Sequence, residues 1–185
     1  MTGTLTVNSA SCIHKEFSLK NKYAWVGSIM SIVLIADQVT KYLVATRVRL
    51  YSTIPVVPGF FNITHVRNRG AAFGILAGAP EIWRSLFFIS VTIAAIAVIG
   101  VLIWKTHERL LVTAFSLIAG GAIGNLIDRI RYGEVVDFIQ WYVKSHYWPS
   151  FNVADSAISV GVALLVLDML LKKPQETKEN ETMNR

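Results

Sequence analysis

Charge is sparse in this chain. Of its 185 residues, 16% are Asp, Glu, Lys or Arg while 53% are hydrophobic, whereas soluble domains are usually near a quarter charged. That balance argues against an ordinary soluble protein, and the length suits one compact membrane domain. Cysteine is scarcer still: Cys12 is the only one, so no intramolecular disulfide can form. It lies in the polar stretch TGTLTVNSASCIHKEFSLKNK with no apolar run before it. A cleavable secretory signal and lipid attachment at Cys12 are therefore not expected, and it reads as a free cytoplasmic thiol. Several catalytic signatures are also missing. There is no HExxH, and the four histidines (14, 65, 107 and 146) are scattered, so no metal site is expected. No G-x-S-x-G elbow is present. The net charge of +6 comes without a basic stripe or a nucleic-acid motif, which sets nucleic acid aside as a partner. The basic residues read instead as loops meeting anionic lipid or a polar site.

What is there is four long hydrophobic segments, measured against the roughly 20 residues that span a bilayer. They cover residues 23–44, 85–104, 110–127 and 151–171. The second is uncharged throughout; the first admits Asp37 and Lys41, the third runs into Asp128 and Arg129, and the fourth carries Asp155 and Asp168. The connection 45–84 is rich in β-branched and aromatic residues broken by Pro55, Pro58 and Gly59, which predicts short strands. Its length marks it as functional. The tight KTHER link makes the second and third spans an antiparallel hairpin. Residues 1–22 read as a polar cytoplasmic extension, 23–171 as the membrane domain and 172–185 as a disordered cytoplasmic tail. Four spans put both termini on one side. Lys and Arg number nine on the terminal side and eight on the other, and the Lys172–Lys173 stop with the polar N-terminus places both termini in the cytoplasm.

Ionisable groups inside spans are functional candidates unless pairing accounts for them. Asp168 has Lys172 four residues on, and a helical ion pair suffices. Asp37 and Lys41 share that spacing, so they read as an ion pair or as groups lining a site. In GGAIGNLIDR, Gly120 and Gly124 form a small-xxx-small face. Asn125 shares a helix face with Asp128 and Arg129; this cluster is either an interfacial anchor or part of a polar site. Asp155 lies three residues after Asn152 and fits a capping box at the start of the fourth helix. Asp137 has no basic residue at i+3 or i+4 and no cap to explain it. Beyond it, Phe138, Trp141 and Tyr142 fit a short amphipathic interfacial helix, and Tyr147 and Trp148 extend an aromatic belt. The connection between Asp137 and Asp155 is short enough for both carboxylates to face one pocket. Two such carboxylates share a proton, so that one activates water while the other protonates a leaving amine. A proton-coupled transporter using the same aspartates, or a non-catalytic assembly factor, are the rival readings; the clustering of carboxylates at one membrane face favours interfacial chemistry.

The motifs DQVTK (37–41), NRGAAFG (68–74), GAIGNLIDR (121–129), VVDF (135–138) and FNVADS (151–156), in this order on a four-span chain, resemble prolipoprotein signal peptidase, also called signal peptidase II. The resemblance runs from about residue 23 to 171, and the polar N-terminal extension has no counterpart in it. It implies an all-α polytopic protein of the bacterial inner (cytoplasmic) membrane, with four transmembrane helices, a small extracytoplasmic β-cradle and both termini cytoplasmic. It implies an aspartic endopeptidase, without metal or cofactor, that cuts a prolipoprotein before a diacylglyceryl-modified cysteine and is inhibited by globomycin. The catalytic pair would be Asp137 and Asp155. Asn68, Gly70, Asn125, Arg129 and Asn152 would bind substrate, and Asp37, Lys41 and Asp128 would be structural supports. Membrane lipid is the other expected partner, and the chain is expected to act as a monomer.

Overall fold

The computed structural model describes residues 19–70 and 80–172. The expectations for Cys12, for most of the N-terminal extension and the polar tail, and for residues 71–74 of the second motif fall outside these. Four helices are long and apolar enough to cross a membrane: α1 (Leu19–Arg47), α2 (Glu81–Lys105), α3 (Arg109–Tyr132) and α4 (Val153–Leu171). Each contains one of the four hydrophobic segments, apart from the first two residues of the fourth. α2 buries only Ile103 among its 25 residues, as a helix hydrophobic on all sides does when it faces lipid. α3 is the central helix, packing against all three others. Its small residues explain this. A Cβ on Gly120 would lie 3.2 Å from Val33 Cβ of α1. One on Gly124 would lie 2.6 Å from Asp37 Oδ2, and one on Gly121 would collide with the Ala154 carbonyl of α4. The glycines thus let three backbones meet where any side chain would hold them apart.

The ion pair expected at the far end of α4 is present, with Lys172 Nζ 2.8 Å from Asp168 and 3.0 Å from Glu108. It fastens the α4 terminus to the α2–α3 turn.

The long connection forms β1 (Thr53–Val57) and β2 (Phe61–Asn68), as its composition predicts. These join β3 (Val135–Val143) and β4 (His146–Tyr147) in an antiparallel sheet of order β1-β2-β3-β4. The interfacial helix expected at Phe138, Trp141 and Tyr142 is therefore corrected: that segment is β3. The aromatic and β-branched run VVDFIQWYV suits a pleated, half-buried surface, and β2 supplies a partner that no local spacing reveals. The sheet is joined to the bundle by a small core of Val44, Val136 and Phe138, backed by Val48, Ile63, Ile139 and Val153.

Replacing Gly121 with Val should lower stability by about 1–3 kcal/mol through overpacking of α3 against α4. Gly27→Ala, where a Cβ would meet nothing within 4 Å, should leave it unchanged or slightly raised. Thermal unfolding of the two variants in detergent checks the contrast.

Candidate active site

The ten residues singled out in the sequence come together at one end of the bundle, where α1 and α3 finish and α4 begins. At the centre is Lys41, only 3% exposed. Its ammonium lies 2.9 Å from Asp37 Oδ2 and 3.1 Å from Asp128 Oδ2, and it donates to Asn125 Oδ1 at 2.9 Å. The expected Asp37–Lys41 pair is therefore real, but Asp128 is held by Lys41 and not by its helical neighbours. Each aspartate also takes a peptide N–H from another element. Asp37 Oδ1 accepts from Ala154 N at 2.9 Å, and Asp128 Oδ2 accepts from Val136 N at 3.1 Å. Those are the residues immediately before Asp155 and Asp137.

Asp155 occupies the position the capping box assigns it. Asn152 Oδ1 accepts from Asp155 N at 2.9 Å, and Asp155 Oδ2 accepts from Asn152 N at 3.2 Å. Its other oxygen accepts from Asn125 Nδ2 at 2.7 Å. Both carboxylate oxygens of Asp155 thus accept N–H donors, one from the N-cap of α4 and one from α3.

Asp137 is 2% exposed. Asn152 Nδ2 donates to its Oδ1 at 2.7 Å and Asn68 Nδ2 to its Oδ2 at 2.9 Å. The β2–β3 register explains the second bond: Asn68 stands opposite Val135, so Asp137 is its diagonal neighbour on the same face. Gly70 aims the amide, since its N–H donates to Asn68 Oδ1 at 2.8 Å from a left-handed backbone (φ 78°). Burial pushes the Asp137 carboxyl up to about 7, and the nearby charge of Asp155 adds to it, against the opposing bonds from Asn68 and Asn152.

Arg129 donates to the Asn125 carbonyl at 3.4 Å and lies over the Phe88 ring, 5.7 Å from its centroid. It is close enough to Asp155 and Asp137 for their charges to act on it. Two participants escaped the sequence reading. Gln38 Nε2 donates to Asp37 Oδ2 and Asp128 Oδ1 at 3.1 and 3.2 Å; its place on the Lys41 face, three residues away, is the available signal. Phe88 lies beneath both Arg129 and Gly70, where a Cβ on the glycine would approach the ring to 2.6 Å. Nothing in an apolar run distinguishes it. Among the described residues no group of three or more His, Cys, Asp or Glu could hold a metal ion.

Two neighbouring carboxylates held by unlike environments form an acid–base pair in general terms. A family model described as Signal peptidase (SPase) II matches residues 29–171. The chain belongs to the signal peptidase II family. Among its relatives is the lipoprotein signal peptidase of Geobacter metallireducens, 49% identical over 164 residues, spanning 88% of this chain and 100% of that protein. The lipoprotein signal peptidase of Syntrophus aciditrophicus is 49% identical over 148 residues, 79% and 92% of the two chains. A solved structure described as a bacterial membrane enzyme is similar with a TM-score of 0.72 at 37% identity, covering 89% of this chain and 99% of the other.

Within this signal peptidase II chain, Lys41→Met should cost about 3–5 kcal/mol, because it leaves two buried carboxylates without their cation. The loss should appear as a lowered unfolding temperature in detergent. Lys172→Met should cost less, because the ammonium there is 45% exposed and water can take over part of its role at Asp168.

Proposed function

We propose that this protein is an aspartic endopeptidase of the cytoplasmic membrane that removes the signal peptide from prolipoproteins, cleaving before the diacylglyceryl-modified cysteine, with Asp137 and Asp155 as its catalytic pair. Family membership supports the reaction class. The observation that carries the residue assignment is Asn152, which caps the helix at Asp155 while donating to Asp137 and so holds the two carboxyl groups in one frame.

The division of labour follows from their surroundings. Asp155, at a helix N-terminus and bonded by N–H donors, is the anion that takes a proton from water. The water attacks the carbonyl preceding the lipidated cysteine. Asp137, whose burial favours the neutral acid, donates a hydrogen bond to the developing oxyanion and then its proton to the leaving amine. The pair titrates as a unit, so these assignments describe its working form. Asn68, Gly70, Asn125, Arg129 and Asn152 surround this centre and bind the substrate backbone, with Arg129 orienting it. Asp37, Lys41 and Asp128 support the frame.

The sheet is the extracytoplasmic cradle and both termini are cytoplasmic. This reading is supported by the site's position at one end of the four helices, with the α1 start and the α4 finish at the other. The membrane domain extends over residues 23–171, flanked by a cytoplasmic extension and tail. The protein acts as a monomer and binds globomycin-type inhibitors at the same site.

Asp137→Asn and Asp155→Asn should each lower cleavage of a diacylglyceryl prolipoprotein by about a thousandfold while leaving the unfolding transition in place; normal turnover in either removes the dyad. Activity should fall as pH rises past about 7, where Asp137 loses its proton. Asn68→Ala removes a bond that favours the anion, so the alkaline limb of its kcat/KM profile should move to higher pH. The same ionisation bears on folding. The carboxyl is raised above its ordinary value of 3.8, so its contribution favours the fold at low pH and is lost as pH rises from there to about 7.

A further inference from the structure

Asn68 binds Asp137 across the sheet, and its amide is aimed by the Gly70 N–H two residues on. Between Asn68 and Gly70 lies Arg69, to which the mechanism gives no part. Its guanidinium Nε donates to Glu134 Oε1, closing an ion pair between residues 65 positions apart in the chain. The two partners differ in freedom, since the Glu134 side chain is 12% exposed and that of Arg69 56%. The backbone on both sides of Glu134 is also held. Before it, Gly133 ends α3 in a left-handed conformation, its N–H returning to the Arg129 carbonyl. After it, Val135 stands opposite Asn68 in the β2–β3 ladder. Glu134 is therefore the fixed partner, and Arg69 ties the Asn68–Gly70 turn to it. Glu81, at the start of α2, adds its attraction for Arg69.

We infer that the Arg69–Glu134 pair is a positioning device for the reaction, fixing the turn that aims the Asn68 amide at Asp137; the inference rests on the peptidase reading above. An exposed ion pair adds little to stability, and here its effect is geometric. Once the pair is broken, residues 69 and 70 lose their tie to the start of β3. The Gly70 bond to Asn68 loosens, and the Asn68 bond to Asp137 weakens with it. That bond favours the Asp137 anion, so its weakening favours the neutral acid. Charge acting directly through space has a different signature. Loss of the Arg69 cation would favour the neutral acid, but loss of the Glu134 anion would favour ionisation. The geometric route gives one sign for both substitutions. The other charged groups around Asp137 stay in place throughout: Lys41 of α1, Arg129 of α3 and Asp155 of α4, with Asp37 and Asp128 on Lys41.

The test measures kcat/KM against pH for the full-length protein in detergent, with a diacylglyceryl prolipoprotein as substrate. Arg69→Gln and Glu134→Gln should both move the alkaline limb to higher pH, by roughly 0.2–0.7 of a unit, the range an exposed ion pair can transmit. Arg69→Lys, which keeps a cation within reach of Glu134, should move it less than Arg69→Gln. In an Asn68→Ala background neither glutamine substitution should move it further. A limb that moves to lower pH in Glu134→Gln, or keeps its wild-type position in both single variants, overturns the positioning role and leaves the peptidase reading standing. So does a full additional shift on top of Asn68→Ala. Wild-type protein without an alkaline limb that Asn68→Ala moves takes down the role given to Asp137, and this inference with it.

Discussion

The arrangement depends on one buried ammonium group. Lys41 lies between Asp37 and Asp128, and each of those carboxylates also binds the peptide N–H just before one member of the proposed catalytic pair. A single charge on α1 thereby sets the start of α4 and the entry to β3 relative to one another. Burying these ions costs several kcal/mol each before their attraction is counted. The cluster as drawn carries two negative charges and one positive, and the remainder is offset by peptide and amide donors, among them the first turn of α4. Such a network is a poor source of net stability and a good source of unique geometry, because only one relative placement of the three elements satisfies every group.

The glycines of α3 belong to the same constraint. Asp37 reaches Ala154 because Gly124 presents no side chain between them, and α4 approaches because Gly121 presents none to the Ala154 carbonyl. Close packing and the polar network are therefore one feature. A wider separation would leave the Asp37 carboxylate, fully buried at 0% exposure, without its peptide donor.

How much of this could be read from the sequence differs from residue to residue. The helices were legible because a span of uncharged apolar residues leaves few alternatives, and Asp155 was legible because a capping box is local, with both partners three residues apart. The remaining candidate residues lie within the five short motifs shared with the family. Asp137 was recognised by what it lacked, a nearby base or cap. Its actual partner Asn68 is 69 positions away, and such a pairing leaves no mark on local spacing. The same reason explains the misread segment after it. Phe138, Trp141 and Tyr142 satisfy helical periodicity, but they also satisfy β propensity, and pairing with β2 decided between them. Phe88 had no signal at all, since its role comes from the approach of Gly70 and Arg129 from other elements.

Asn152 shows why the site demands a particular residue where helix capping alone would not. Aspartate or serine would cap α4 about as well as asparagine. Neither could replace its second function. An ionised aspartate has no N–H to give Asp137 and would bring another negative charge within bonding distance of it. Serine has a hydroxyl but not the length that takes the amide 2.7 Å from Asp137 while its oxygen still receives Asp155 N. An amide alone carries an acceptor for the cap and a donor for the neighbouring carboxylate on one short side chain. The two carboxylates consequently cannot be positioned independently: any shift in the first turn of α4 moves the bond to Asp137 as well as the cap on Asp155. In the proposed mechanism, that coupling holds the Asp155 carboxyl at a helix terminus beside an Asp137 carboxyl that burial pushes toward its neutral form, the asymmetry that a one-proton pair would use.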